Sequence, residues 1–568
     1  MIPTTQPRLL VLLMAFCLSI TNVQSQDIEK IDFKKPVQFS GSLNISLESY
    51  NAHGIEKRKK PFSWLVSGAP IVTVLGVQVP FSFLFSNFEN RYYQPFNQFG
   101  ISPRYKWATF HAGYRNIQFS QFTLAGYRML GGGVELNPRK LRLGFMYGRL
   151  ARSASLDSLQ YANPLAFRTP PTYTRMAYAV KLGVGTERNY IDLSMLKGWD
   201  KEASLDQKFR DSTAPASNLA LGVSWKITFL RRFSWQAEIG LSHYINDIYS
   251  DKLVADSSDA KIIRQLLKVF PARISSQLLT AGETRLSYQD KVMGLTLQYK
   301  RVDPEYRSMG AYFFQSDIEQ FNFMPSFRLN KGKLFIGGSV GLQRDNLYRQ
   351  KLATSERVTG NANINYNPSA RFGVSFNYSN FGITQNPLRT SASDEIFKQV
   401  SQSFTLVPYL SFINDNSVKN IQFISSLQSL NSPMKTINTT ADQHTLMGSL
   451  IYSHTWLKKQ FSFNTSLNYN NTSLPDGDIG SKGGGVGFSI PVYKNRIALS
   501  TNGSWNSNTF NGMSNGYTIN ADVSTSVRIL KRNSVQLGFN YLKNKATDQT
   551  VVQSFDEQTF RLGYGISF

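Results

Sequence analysis

Two-residue alternation, repeated across nearly the whole chain, is the feature that most constrains what this sequence can fold into. In the last stretch Phe560, Leu562, Tyr564, Ile566 and Phe568 fall on one side, and Arg561, Gly563, Gly565 and Ser567 on the other. The same pattern sets Phe461, Phe463, Leu467 and Tyr469 against Ser462, Asn464, Ser466 and Asn468. It sets Phe372, Val374, Phe376 and Tyr378 against Gly373, Ser375, Asn377 and Ser379. Further copies run over 535–541, 293–299 and 141–147. A period of two belongs to β-strands, whose side chains point alternately to opposite faces. Here one face is apolar and often aromatic, and the other is small and polar. A soluble sandwich also alternates, but repetition over the full length with aromatic strand ends predicts an all-β, transmembrane antiparallel β-barrel.

Composition supports the same reading. The charged fraction is 17%, and Gly 40, Phe 40 and Tyr 27 are spread evenly along 568 residues. No run beyond the first 25 residues is apolar and long enough for a membrane helix. A membrane protein without such helices has one other solution, a closed barrel, because only closure satisfies every backbone N–H and C=O in lipid. The N-terminus indicates the compartment. Arg8 precedes an apolar run from Leu9 to Ile20, and Val23-Gln24-Ser25 provides a small-residue cleavage site before Gln26. This predicts a secretory signal peptide over 1–25. Cys17 lies inside the apolar run after bulky Phe16, which argues against a lipoprotein, so the mature chain is expected to lack cysteine.

Tight basic connections recur at Pro138-Arg139-Lys140, Arg231-Arg232, Lys331-Gly332-Lys333, Lys458-Lys459, Lys494-Asn495-Arg496 and Lys531-Arg532. Weaker ones lie near Thr186-Glu187, Asp290, Pro368-Ser369 and Asp415. Between successive turns there is room for two strands and a longer polar loop, the arrangement of short periplasmic turns and long extracellular loops. Counting in this way predicts about 24 strands, within 20–26. The expected organisation is a signal peptide over 1–25, a short periplasmic segment over 26–37 and one barrel over 38–568, in the cell outer membrane.

The alternating Phe560, Leu562, Tyr564, Ile566 and terminal Phe568 resemble the C-terminal recognition signal of outer-membrane barrel proteins. That resemblance implies the barrel-assembly machinery as a partner. The segment from Pro95 through Phe99, Gly100 and Pro103 to Trp107 resembles poorly characterised barrel, porin-like proteins of Bacteroidota, as does Gln26 directly after the cleavage site. It implies a location and brings no established activity.

A ring of this size needs something to narrow it. The first strand is expected from Gln38 to Tyr50, so no plug domain fits between Gln26 and Val37, against a TonB-dependent receptor. The fillers are then inward-folded loops, with candidates over 51–69, 116–126, 153–172, 246–281 and 382–398, or a periplasmic or plug protein partner. The longest loop holds a basic amphipathic helix over 261–270 by its spacing.

The formal net charge is +25. Export makes nucleic acid irrelevant as a partner, leaving outer-membrane lipids and lipopolysaccharide phosphates outside and anionic solutes inside. Arg142, Lys300 and Arg561 are the candidate lumen-facing bases, and they would bias a pore toward anions. Catalytic signatures are weak. Gly337-Gly338-Ser339-Val340-Gly341 matches G-x-S-x-G but sits in a strand pattern with no helix after it, and Gly483, Gly485 and Gly487 likewise open a strand. His53, His111, His243, His444 and His454 show no metal spacing. No enzyme activity, cofactor or metal is expected. The functional expectation is a loop-narrowed solute channel with some anion preference. The alternatives are a component of an export or assembly machinery and a structural or adhesive barrel.

Overall fold

The computed structural model describes residues 37–74, 77–87, 98–154, 171–210, 213–253, 271–311, 315–388, 397–432, 442–493, 496–530, 532–547 and 553–568. The expected signal peptide, most of the 26–37 segment, the 261–270 helix, and Lys494, Asn495 and Lys531 of the basic turns lie outside the described residues.

The alternating segments form one antiparallel wall that closes on itself. The strand Ser42–His53 pairs with the last strand, Phe555–Ser567, in a register running from Ser42↔Ser567 to His53↔Asp556. The last strand pairs on its other side with Asn533–Lys545. The wall has 26 strands rather than about 24. The difference lies near the start. Ile71–Val74 and Val77–Ser86 form a hairpin with Val74 opposite Val77, and Arg104–Tyr105 turns directly into Ala108–Asn116. Neither turn carries a basic doublet, and prolines interrupt the alternation around both. Pro103 separates Gln98–Ile101 from Arg104–Tyr105, and both pieces pair with Val77–Ser86 and with Ala108–Asn116 as one broken wall position. Proline cannot donate to a ladder, which explains the break.

Register fixes what each face presents. One cross-strand row reads Leu143, Leu182, Leu193, Val223 and Ile239. Leu182, Leu193 and Ile239 are each more than half exposed, as befits the outside of the ring. One residue further along, the inward row reads Gly144, Lys181, Ser194, Gly222, Gly240, Ala281, Val302 and Ile318. A slip of one residue would exchange the two rows, so the apolar set pins the register.

Both chain ends of the wall and the tight turns sit at one end, and the longer connections at the other. Two connections at the long-loop end are themselves tight, joining Leu474 to Gly477 and Phe510 to Met513. The second uses Asn511 and Gly512, at φ 49° and 78°, the left-handed pair that suits a two-residue hairpin. Among the expected filler loops, 51–69 is corrected: Phe62–Gly68 is a wall strand, because Phe62, Trp64 and Val66 continue the outward alternation.

Candidate functional site in the barrel lumen

The inward row of small residues is a floor, and two connections fold down onto it. The first, 117–127, overlaps the expected filler 116–126. The second, 303–311, was not among the expected fillers. They meet in a short parallel bridge, Gly310↔Leu124 and Ala311↔Ala125.

Glycine makes the approach possible. A Cβ on Gly240 would lie 2.4 Å from the Phe122 Cβ, and one on Gly144 would lie 2.7 Å from the Phe119 ring. Phe122 is fully buried with Ala281, Val302, Tyr306 and Ile318, while Phe119, Leu124 and Met309 join a second cluster with Met146, Ala179 and Leu196. Burying a side chain of this size contributes about 2 kcal/mol, so several together hold the segments far more firmly than thermal motion can lift.

Polar groups complete the seat. Tyr306 Oη donates to the Phe122 carbonyl at 2.9 Å, and Ser308 Oγ donates to that of Thr123 at 2.7 Å. The Met309 N–H donates to Asn218 Oδ1 at 3.0 Å. Asn218 Nδ2 donates in turn to Ser242 Oγ at 2.8 Å, and Ser242 Oγ to the Arg307 carbonyl at 2.6 Å. Ser120 Oγ donates to Glu238, and Gln121 Nε2 to Glu283 at 3.3 Å. Burial, reinforced by the Glu238 carboxylate, raises the Tyr306 phenol above its ordinary range, so it remains a donor. Tyr306→Phe should cost about 1 kcal/mol and speed amide exchange of 303–311 about fivefold. Unchanged exchange would show that this hydrogen bond does not hold the segment.

The opposite wall is different. Its inward rows read Asn361, Ser379, Ser403, Gln428, Thr445 and Thr472, and Asn464, Gly487, Asn502, Asp522, Asn540 and Thr559. Neighbouring side chains bond across strands: Ser449 Oγ donates to Asn468 Oδ1 at 2.7 Å and Asn540 Nδ2 to Asn520 Oδ1 at 3.1 Å. The lumen is thus filled on one side and lined by amides and hydroxyls on the other.

Arg142, Lys300 and Arg561 all share the face of the small polar residues, and each is held by a carboxylate. Arg142 makes two hydrogen bonds to Asp192, at 2.8 and 2.9 Å, with its guanidinium 4.4 Å from the Tyr190 ring centre. Lys300 Nζ lies 4.0 Å from Glu283, and Arg561 Nε donates to Glu48 at 2.7 Å. Phe560, Leu562, Tyr564 and Ile566 stand on the outer face opposite Ser49, Leu47, Ile45 and Leu43. Phe568 follows them, its N–H bonded to the Gly41 carbonyl at 3.0 Å. Gly337–Gly341 lies inside the strand Leu334–Arg344, and the next element is the strand Ala353–Tyr366. Gly483, Gly485 and Gly487 lie inside Gly477–Val492. The 303–311 segment carried a signal in Tyr306 and Met309, bulky residues that a solvated loop does not need.

No protein-family model and no curated protein matches the sequence. Among solved structures, the chain is similar to the P pilus usher (PapC) translocation pore, with a TM-score of 0.34 at 11% identity over 93% of this chain and 99% of that one. It is similar to BauA, the ferric preacinetobactin receptor of Acinetobacter baumannii, with a TM-score of 0.38 at 9% identity over 93% and 81%. For OccAB4 of Acinetobacter baumannii the TM-score is 0.29 at 11% identity over 70% and 99%. Likenesses this distant do not bear on what the chain does, and the closed wall rests on its own strand register.

Proposed function

We propose that this chain spans the outer membrane of a Gram-negative bacterium as a passage for small polar solutes, narrowed by its own segments 117–127 and 303–311. The observation that carries the reading is the sorting of the wall: apolar side chains outward, amides and hydroxyls inward, around a closed ring with no free sheet edge. An apolar belt satisfies lipid, and a lining made mostly of amides and hydroxyls exchanges hydrogen bonds with a hydrated solute without trapping it. Because this chain fills part of its own lumen, a partner protein inside the ring is the weaker reading. Any anion preference draws little on Arg142, Lys300 and Arg561, whose charges are offset by Asp192, Glu283 and Glu48.

The test is single-channel conductance of the refolded mature chain in a planar bilayer under a salt gradient. Steady conductance supports a passage; silence from a demonstrably folded barrel overturns it. Assembly has its own test. Phe568→Ala should reduce assembled barrel severalfold at native expression, while the exported precursor is still processed, because recognition follows translocation. Normal surface assembly of that variant would remove the terminal aromatic from the recognition signal.

A further inference from the structure

A cavity of about 650 Å³ opens on the lumen face at the short-turn end, beside the seam where the first and last strands meet. Its walls carry Arg496, Arg528 and Arg532, with Ser526, Ser534 and Asn44 between them. Arg528 pairs with Ser534 in the row that continues through Gly565 to Asn44, so it stands on the inward face. Arg496 and Arg532 come from the two adjacent turns.

These arginines differ from every base expected to line the lumen. Arg142, Lys300 and Arg561 each reach a carboxylate, whereas Arg496, Arg528 and Arg532 enter no ion pair among the described residues. Solvated rim charges facing lipid phosphates would point outward. These share a cavity with hydroxyl and amide groups on the opposite face. Guanidinium presents a planar fork of donors that matches phosphate oxygens two at a time, and serine and asparagine supply neutral donors beside it.

We infer that this cavity binds a phosphate-bearing anion at the short-turn mouth of the lumen. The inference deepens the passage reading and rests on it for its role: the site would concentrate phosphorylated solutes at one end of a path whose wall there is mostly amides and hydroxyls. The same chemistry would accept the headgroup phosphate of a lipid, and the lumen-facing position of Ser526, Ser534 and Asn44 favours the free solute.

The experiment is calorimetric titration of pyrophosphate into the folded full-length mature chain in non-ionic detergent. It is repeated in nanodiscs of phosphatidylcholine, with and without phosphatidylglycerol. The expected result is one site per chain, weakened at least about tenfold by Arg496→Gln/Arg528→Gln/Arg532→Gln together, and weakened less by the three Arg→Lys changes, which keep the charge and lose the fork. Loss of pyrophosphate binding only when phosphatidylglycerol is present supports the pocket and identifies a lipid as its occupant. Absence of binding to lipid-free protein, or binding that the triple variant leaves unchanged, overturns the inference. A cooperative urea unfolding transition matching that of the parent shows that the triple variant is folded. A wild-type chain that binds pyrophosphate but never conducts would overturn the passage reading and leave the pocket standing.

Discussion

Replacing residues 118–126 by a short Gly-Ser linker should raise single-channel conductance about threefold, the order expected when a constriction is removed and the wall is kept. The segment contributes no strand to the ring, and its contacts run inward to Gly144, Gly222 and Gly240. Gly240→Leu gives a second route to the same result. Its side chain would claim the space of Phe122, which must then leave its cluster with Tyr306 and Val302. Both variants should also expose 303–311 to protease, since the two segments are bridged at Leu124 and Ala125. If both fold and conduct like the parent, the segments do not set the pore, and the narrowing lies elsewhere.

The second large effect concerns the wall. Asp192→Asn should cost about 2–3 kcal/mol, because it strands the Arg142 guanidinium, which is only 22% exposed, beside a neutral amide. Urea or guanidinium unfolding in detergent reads the loss as a lower midpoint. The double variant Asp192→Asn/Arg142→Gln should recover part of it, since neither charge is then left alone. Equal losses in the single and double variants would mean that the uncompensated Arg142 charge is not what costs stability. Asp200, whose carboxylate accepts from Arg175 at 2.8 and 3.2 Å and from the Ala216 N–H at 3.1 Å, should behave in the same way.

How much of this was legible in the sequence depends on the kind of signal. Phe461/Phe463, Phe372/Phe376 and Phe560/Leu562 announce wall strands because period-two burial leaves a local trace in every strand. The basic turns announce themselves because a short solvated connection has few other constraints. The hairpin at Val74–Val77 and the broken position around Pro103 left no such trace, so two strands were missed. The lumen was harder to read. The small residues Gly144, Gly222 and Gly240 are visible as an inward face, but what presses on Gly240 is Phe122, 118 positions away. The partners of Arg142 and Arg561 lie 50 and 513 positions away. Asp192 and Glu48 become neighbours only through strand register and ring closure.

The two-residue connections at the long-loop end have a consequence for access. Strands from Gln443 to Lys545 are joined there by Leu474–Gly477 and Phe510–Met513, while the connections over 201–217, 245–276 and 302–318 are many residues long. The entrance is therefore lopsided in chain supply, with a low sill above the asparagine-rich wall. If the ring is a passage, a solute arriving over that sill meets Thr472, Asn470 and Asn508 first, so the order of encounter, and not only the width of the path, is written into where the hairpins are short.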